Sequence, residues 1–346
     1  MNERTYEYHY IPPCIFRAWA DSRGYVSFFF NKGDGEVHEA PYSLMYYEDI
    51  IPECPKKEFE KSDIFLNKEA VDIVGRIVSG EITSLSRDMT IVYRLIIQHF
   101  YASPNAGGRI AMIQIDNARL VETMSLEERQ TFTGLFMREE RSTGDVLFAR
   151  KYSDYVLPYI LDLKPLIIDA PEGENFVMGP VPILLGNMYD VSMALDSHLP
   201  YGYDATVIIM PFSPKKAVAL YDDKKIEAVA ESDGRSVFSH EDMEKLNSYI
   251  VKSGSSTVFV EEGKYDADYY RSLRDIPFSM DVDYSIFSLR NPGDKTFFWS
   301  REFFDVMSAF DRKHYHSKGK APTTEASLRK RIEYALSVLN GETEEE

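Results

Sequence analysis

The densest apolar patterning lies at residues 205–221, where the runs from Ala205 to Met210 and from Ala217 to Tyr221 are joined through Pro211-Phe212-Ser213-Pro214. Short apolar runs bounded by proline read as core strands. Pro211 and Pro214 each lack an amide hydrogen, so their joint is expected at a sheet edge or a bend. Ser213 there reads as a turn hydroxyl, since no base can be assigned to it as a nucleophile.

Similar runs surround this pair. Leu166-Ile167-Ile168, Phe176-Val177-Met178, Ile183-Leu184-Leu185 and Thr257 to Val260 are separated by Gly, Pro, Asn and Asp and read as further strands. Near the start, Tyr25 to Phe30, the turn Asn31-Lys32-Gly33-Asp34-Gly35 and Glu36-Val37-His38 predict a hairpin. His9-Tyr10-Ile11-Pro12-Pro13 reads as extended, because each proline pushes its predecessor out of helical geometry.

Helical periods fill the space between. Ala70, Val71, Ile73, Val74, Ile77 and Val78 form one stripe, interrupted by Ser79-Gly80. Met89, Val92, Tyr93, Ile96, Ile97 and Phe100 form the clearest one, over residues 87–101. Ser125-Leu126-Glu127-Glu128 is a capping box opening a helix with Phe132, Leu135 and Phe136 inward. Residues 152–163 continue the block, with Pro158 as a kink or a break. Later, Ser239-His240-Glu241-Asp242 caps a helix whose stripe is Met243, Leu246 and Ile250. A helix over 302–312 carries Phe303, Phe304, Met307 and Phe310. The last, over 325–340, carries Leu328, Ile332, Ala335, Leu336 and Leu339 and stops at Gly341.

Strands at both ends of a helical block, without regular alternation, predict an α+β fold with a mixed, largely antiparallel sheet. The expected organisation is one integrated domain over residues 1–341, with a helical insert at about 62–163 and an acidic tail at 342–346.

Composition narrows the functional classes. A hydrophobic content of 44% in 346 residues is enough for a sizeable core. The net charge of −17 makes nucleic acid a disfavoured partner, and Arg329-Lys330-Arg331 reads as a solvated helix face. Cys14 and Cys54 are too few for a disulfide framework, which fits a reducing, cytoplasmic setting. No signal peptide opens the chain, and no apolar run is long enough for a membrane span. The cofactor is left open, and so is a protein partner.

His9-Tyr10-Ile11-Pro12, Phe16-Arg17-Ala18-Trp19 and Gly24-Tyr25-Val26 resemble the N-terminal signature of the family filed as domain of unknown function number 4238. In that signature a His-Tyr-x-Pro start leads into an aromatic-rich strand. Further segments follow in the family's order over roughly residues 8 to 260. Phe176 to Leu184 is similar to its central strand, residues 209–216 resemble its apolar-Pro-x-Ser-Pro block, and Leu246-Asn247 matches its helical Leu-Asn pair. Two places depart: Gly179-Pro180-Val181-Pro182 stands where the family usually carries Ser-Asp-Asn-Pro, and Gln98 is followed by His99-Phe100-Tyr101 where Arg is usual one turn on. The resemblance implies a fold and no activity.

Candidate chemistry is sparse. His9, flanked by Tyr10, is a candidate acid, base or ligand, or a hydrogen-bonding tie of the N-terminal segment to the core. Arg17 could hold an anion or pair with an internal carboxylate. Tyr10, Gln98 and Asn247 are candidate binding residues; Asn247 lies on an apolar stripe, which also suits a structural hydrogen-bond hub. Arg94 and His99 fit the Arg-x4-His pattern of helical ribonucleases, although that offset puts them about 140° apart around a helix. His314 and His316, near Asp311, lack a third metal ligand, and no metal site is assigned. Nucleotide-loop, hydrolase and zinc templates are absent. Three classes follow: an enzyme directed at a small molecule or nucleotide and centred on His9 and Arg17, a non-catalytic interaction or structural protein, and the ribonuclease. A pocket gathering His9, Arg17, Gln98 and Asn247 would favour the first, and their scattering the second.

Overall fold

The structure, a computed structural model, describes residues 6–9, 11, 13–30, 35–45, 47–50, 68–102, 125, 147, 150, 153–154, 157–158, 160–179, 183–187, 206–230, 233–252, 257–263, 265–277, 284–290, 296–298, 310, 330, 333–338 and 340–343. Their arrangement is α+β, and the pairing is largely antiparallel.

The centre is a six-stranded sheet in the order β10-β5-β8-β7-β6-β13. Its strands are β5 (Lys164–Asp169), β6 (Ile183–Asn187), β7 (Val207–Ser213), β8 (Lys216–Tyr221), β10 (Arg235–Val237) and β13 (Thr296–Phe298). Only β10 and β5 run parallel; the other neighbours are antiparallel. Every residue of β7 is buried, as are Ala217 to Tyr221 of β8. Continuous apolar runs of this kind belong to strands covered on both faces. Part of the cover comes from α1 (Pro13–Trp19) and α2 (Lys68–Val78), which pack on β7 and on each other. Next to α2 lies α3 (Thr90–Ala102). The Tyr93 hydroxyl of α3 donates to the Leu163 carbonyl at 2.7 Å, tying that helix to the entry of β5.

A three-stranded sheet joins an N-terminal hairpin to a strand far along the chain. β2 (Tyr25–Phe30) and β3 (His38–Pro41) form the expected hairpin, with Phe28 opposite His38. β11 (Thr257–Val260) pairs on the other side of β2, Phe259 opposite Phe28. Between these strands and the central sheet, a two-way bridge links Met178 and Phe259 at 2.9 and 2.8 Å. Two small ladders complete the pairing: β1 (Tyr6–His9) with β4 (Tyr47–Ile50), and β9 (Ile226–Ala228) with β12 (Phe287–Leu289).

Three sequence expectations change. Pro13, read as extended together with His9 to Pro12, instead opens a helix over residues 13–19, at the position where a missing amide hydrogen is harmless. Phe176-Val177-Met178 is buried and among the described residues makes only the Met178 bridge, so burial rather than a ladder explains its apolar run. β7 and β8 form a hairpin around Pro214 and Lys215, the bend expected at their joint. β7 lies between β6 and β8; among the described residues its pairing with β6 covers Val207 to Ile209, Pro211 stands opposite Ala217 of β8, and the register with β8 shifts just beyond it, between Pro211 and Ser213. Finally, Val71 of the predicted α2 stripe faces outward, while Ala70, Ile73, Val74 and Ile77 are buried.

The helix at 333–338 ends as expected: Gly341 takes φ of 71° and its amide donates to the Val338 carbonyl. The capping-box helix after Ser125, the residues beside Phe310 in the 302–312 helix, Tyr10, Cys54, His314 and His316 lie outside the described residues. Among the described residues no helix is long and apolar enough to cross a membrane.

Candidate functional site

The richest polar neighbourhood forms around residues 170–178, the connection leaving β5. Its backbone is held on two sides. Toward the β7–β8 turn, Ala170 donates to the Lys215 carbonyl at 3.0 Å and Phe176 to the Pro214 carbonyl at 2.8 Å, while Lys215 Nζ donates to the Glu174 carbonyl at 2.6 Å. The turn itself is fixed by Ser213 Oγ, which accepts from the amides of Lys215 and Lys216, as expected of a turn hydroxyl.

On the other side stands α4 (His240–Lys252), followed after β11 by α5 (Ala267–Asp275). Ser239 and Asp242 open α4 with the expected reciprocal cap: Asp242 N–H donates to Ser239 Oγ and Ser239 N–H to Asp242 Oδ2. Asp242 also accepts from the Ser285 amide at 3.0 Å, joining the loop before β12 to the helix start. In mid-helix Asn247 is fully buried. Its Oδ1 accepts from the Val177 amide at 3.0 Å, and its Nδ2 donates to the Asn175 carbonyl at 2.9 Å and to the Tyr269 hydroxyl at 3.3 Å. Both ends of the amide are thus engaged inside the protein, which makes Asn247 a structural hub.

Tyr269 is placed by α5, whose N-cap Asp266 accepts from the amides of Asp268 and Tyr269. One turn back, Tyr265 stacks on Tyr269 with centroids 4.6 Å apart and planes 26° apart, and its hydroxyl donates to the Asn175 carbonyl at 2.6 Å. Burial pushes both phenols above their usual range; nearby Glu174 and Glu261 push Tyr265 further, while the hydrogen bond from Asn247 partly offsets the rise at Tyr269. Both therefore stay protonated at neutral pH and act as hydrogen-bonding groups, not as bases.

Two acceptors in this neighbourhood have no donor among the described residues: Asn175 Oδ1 and Glu174 Oε2, both buried atoms. The orientation of the Asn175 amide is set by its other end, because Nδ2 donates at 2.5 Å to Glu261 Oε2, a carboxylate oxygen that can only accept. Glu174 Oε1 meets Nδ1 of His240 on the exposed start of α4.

The residues singled out by sequence do not gather here as a set. Arg17 is exposed on α1, with no carboxylate paired to it among the described residues. His9 lies in β1, opposite Tyr47, at the level of backbone; its side chain lies outside the described residues, and so does all of Tyr10. Gln98 is buried on α3, and its Oε1 has no donor among the described residues. Arg94 points outward to an ion pair with Asp154 at 3.2 Å, whereas His99 is 1% exposed, so the helix turns the ribonuclease pair to different faces. Among the described residues no group of three His, Cys, Asp or Glu side chains could hold a metal ion.

Sequence reasoning found Asn247 through its place on the apolar stripe and found the Ser213-Pro214 turn. It passed over Asn175, Glu174, Tyr265 and Tyr269, which belong to no motif and meet only because α4 and α5 fold back on the 170–178 connection. Phe176 touches Pro214 through the backbone, Val177 touches Asn247, and Phe16 packs edge-on against Phe259, centroids 4.9 Å apart. No family model, no curated protein and no solved structure matches the chain.

Proposed function

We propose that this protein acts by binding a small ligand at residues 170–178, beneath Tyr265 and Tyr269, without transforming it chemically. One observation carries this reading: Asn175 is 1% exposed, yet its carbonyl oxygen Oδ1 is left without a donor in a neighbourhood where every other amide and carbonyl of Asn175 and Asn247 side chains is matched. Leaving a buried acceptor unmatched costs about 1–3 kcal/mol, and such a cost persists where a ligand relieves it. Catalysis has less support. The two phenols are held protonated, and the described positions of Arg17, Gln98 and Asn247 lie on three different helices with no hydrogen bond joining them.

We propose further that the chain is a divergent relative of the domain of unknown function number 4238 family, working in the cytoplasm. The meeting of the 176–178, 214–215 and 247 segments supports this, because those are the places where the resemblance lies.

The test is a thermal-shift screen of small metabolites against the wild-type chain and Tyr265→Phe. A ligand binding only the folded state raises the melting temperature by mass action. The expected hit stabilises the wild type, loses most of that effect in Tyr265→Phe and is recovered unchanged after incubation with stoichiometric protein. A hit indifferent to Tyr265→Phe, or one recovered as a product, contradicts the proposal.

A further inference from the structure

The unmatched acceptors also define what kind of ligand fits. We infer that the site at Glu174, Asn175 and Glu261 recognises the primary ammonium group of a small organic cation, an inference that rests on the binding role proposed for residues 170–178.

The site offers hydrogen-bond acceptance and negative charge. Asn175 Oδ1 and Glu174 Oε2 are buried acceptors without donors among the described residues. Glu261 lies against the same Asn175 amide, its Oε2 at 2.5 Å from Nδ2. Both carboxylates bear electrostatically on the Tyr265 phenol, whose hydroxyl donates to the Asn175 carbonyl. An anionic ligand would meet like charge, and a neutral one could supply donors but no charge; an ammonium brings up to three donors together with a positive charge. The faces of Tyr265 and Tyr269 add an attraction for cations that is indifferent to hydrogen bonding. A metal ion fits less well, since no group of three ligating side chains stands together among the described residues. The neighbouring nitrogen groups are already engaged: Lys215 Nζ donates to the Glu174 backbone carbonyl, and His240 Nδ1 meets Glu174 Oε1, leaving Oε2.

The experiment is isothermal titration of the full chain at low salt with ethylammonium, 1,4-diaminobutane, tetramethylammonium and sodium chlorides. Tetramethylammonium keeps the charge but carries no N–H donor, so it separates ammonium recognition from general attraction of cations. The expected result is 1,4-diaminobutane binding with Kd on the order of 1 mM or tighter, equivalent to about −4 kcal/mol, tetramethylammonium at least about tenfold weaker, and sodium without effect. Glu174→Gln is expected to weaken the amine about tenfold. Glu261→Gln is expected to do the same and stands in if Glu174→Gln does not fold by circular dichroism. Equal binding of all four cations, no binding of either amine, or amine binding unchanged in both variants overturns the inference. If the amines fail while an uncharged or anionic compound binds in a Tyr265-dependent way, the ligand class falls and the binding role stands. If no ligand depends on Tyr265, both fall.

Discussion

Asn247 Oδ1 accepts the Val177 amide hydrogen at 3.0 Å, the backbone of a residue that lies in no strand. A helix side chain therefore does for the 170–178 connection what a neighbouring strand does elsewhere. Replacing Asn247 with Leu keeps the volume roughly but strands the Val177 amide and removes a donor from the Asn175 carbonyl and the Tyr269 hydroxyl. Asn247→Leu is expected to destabilise the fold by about 3 kcal/mol, at the upper end for buried groups left unmatched, measured by urea unfolding. A loss below about 0.5 kcal/mol would remove Asn247 from its place as hub.

A second expectation concerns Asp169 at the end of β5, which bridges two cations: Lys216 Nζ at 2.5 Å and Arg235 Nη1 at 2.9 Å. Arg235 is itself shared with Asp233 through Nε at 2.6 Å. Asp169 and Lys216 are largely enclosed, so the pair is less screened than a surface bridge. Asp169→Ala leaves two cations facing each other and is expected to cost about 2 kcal/mol. A double-mutant cycle with Lys216→Met then shows a coupling energy well above the value for surface pairs, with additive losses as the contrary outcome.

Backbone geometry makes a third prediction. Gly234 precedes β10 with φ of 82°, and a Cβ there would lie 2.8 Å from Ser84 Cβ in the connection between α2 and α3. Gly234→Ala meets both a left-handed backbone penalty and a steric clash, together about 2 kcal/mol. Pairing it with Ser84→Gly removes the clash and is expected to recover part of the loss in thermal unfolding, while full recovery would show that backbone conformation plays no part.

Lys252, at the end of α4, gives a pH dependence. Burial lowers its ammonium to about 8, with Asp275 opposing and Arg274 adding to the shift. Below pH 8 both folded and unfolded chains hold the proton, and the penalty of burying the charge is fully present. Between pH 8 and the ordinary lysine value of 10.5 the unfolded chain binds more protons, so this group's contribution to stability rises with pH. Lys252→Met is therefore expected to be more stable than the wild type at pH 7, with the difference shrinking as pH rises toward 10.5. A difference that is constant over that range would mean the lysine titrates normally.

The sequence carried the local features far better than the long-range ones. The β7–β8 hairpin, the Ser239–Asp242 cap and the α3 period each rest on residues a few positions apart, where side-chain spacing and turn chemistry decide the outcome. By contrast, β11 lies beside β2 across more than half the chain, a pairing that no local pattern encodes. The α1 helix is only seven residues, too short for its period to stand out against aromatic neighbours. Asn247 was legible because an amide on an apolar stripe must find partners. Its partners were not: Asn175, Tyr265 and Tyr269 reach it from separate segments, and nothing in their spacing predicts that they meet.

The most direct measurement is native-state hydrogen exchange at the Val177 amide, whose acceptor is Asn247 Oδ1. Protection is expected close to that of Phe259 in β11, far above exposed Gly173 in the same connection, and Asn247→Leu is expected to remove it at Val177 while sparing Phe259. Exchange at Val177 as fast as at Gly173 in the wild type, or protection untouched by the substitution, would contradict the claim that Asn247 builds the site.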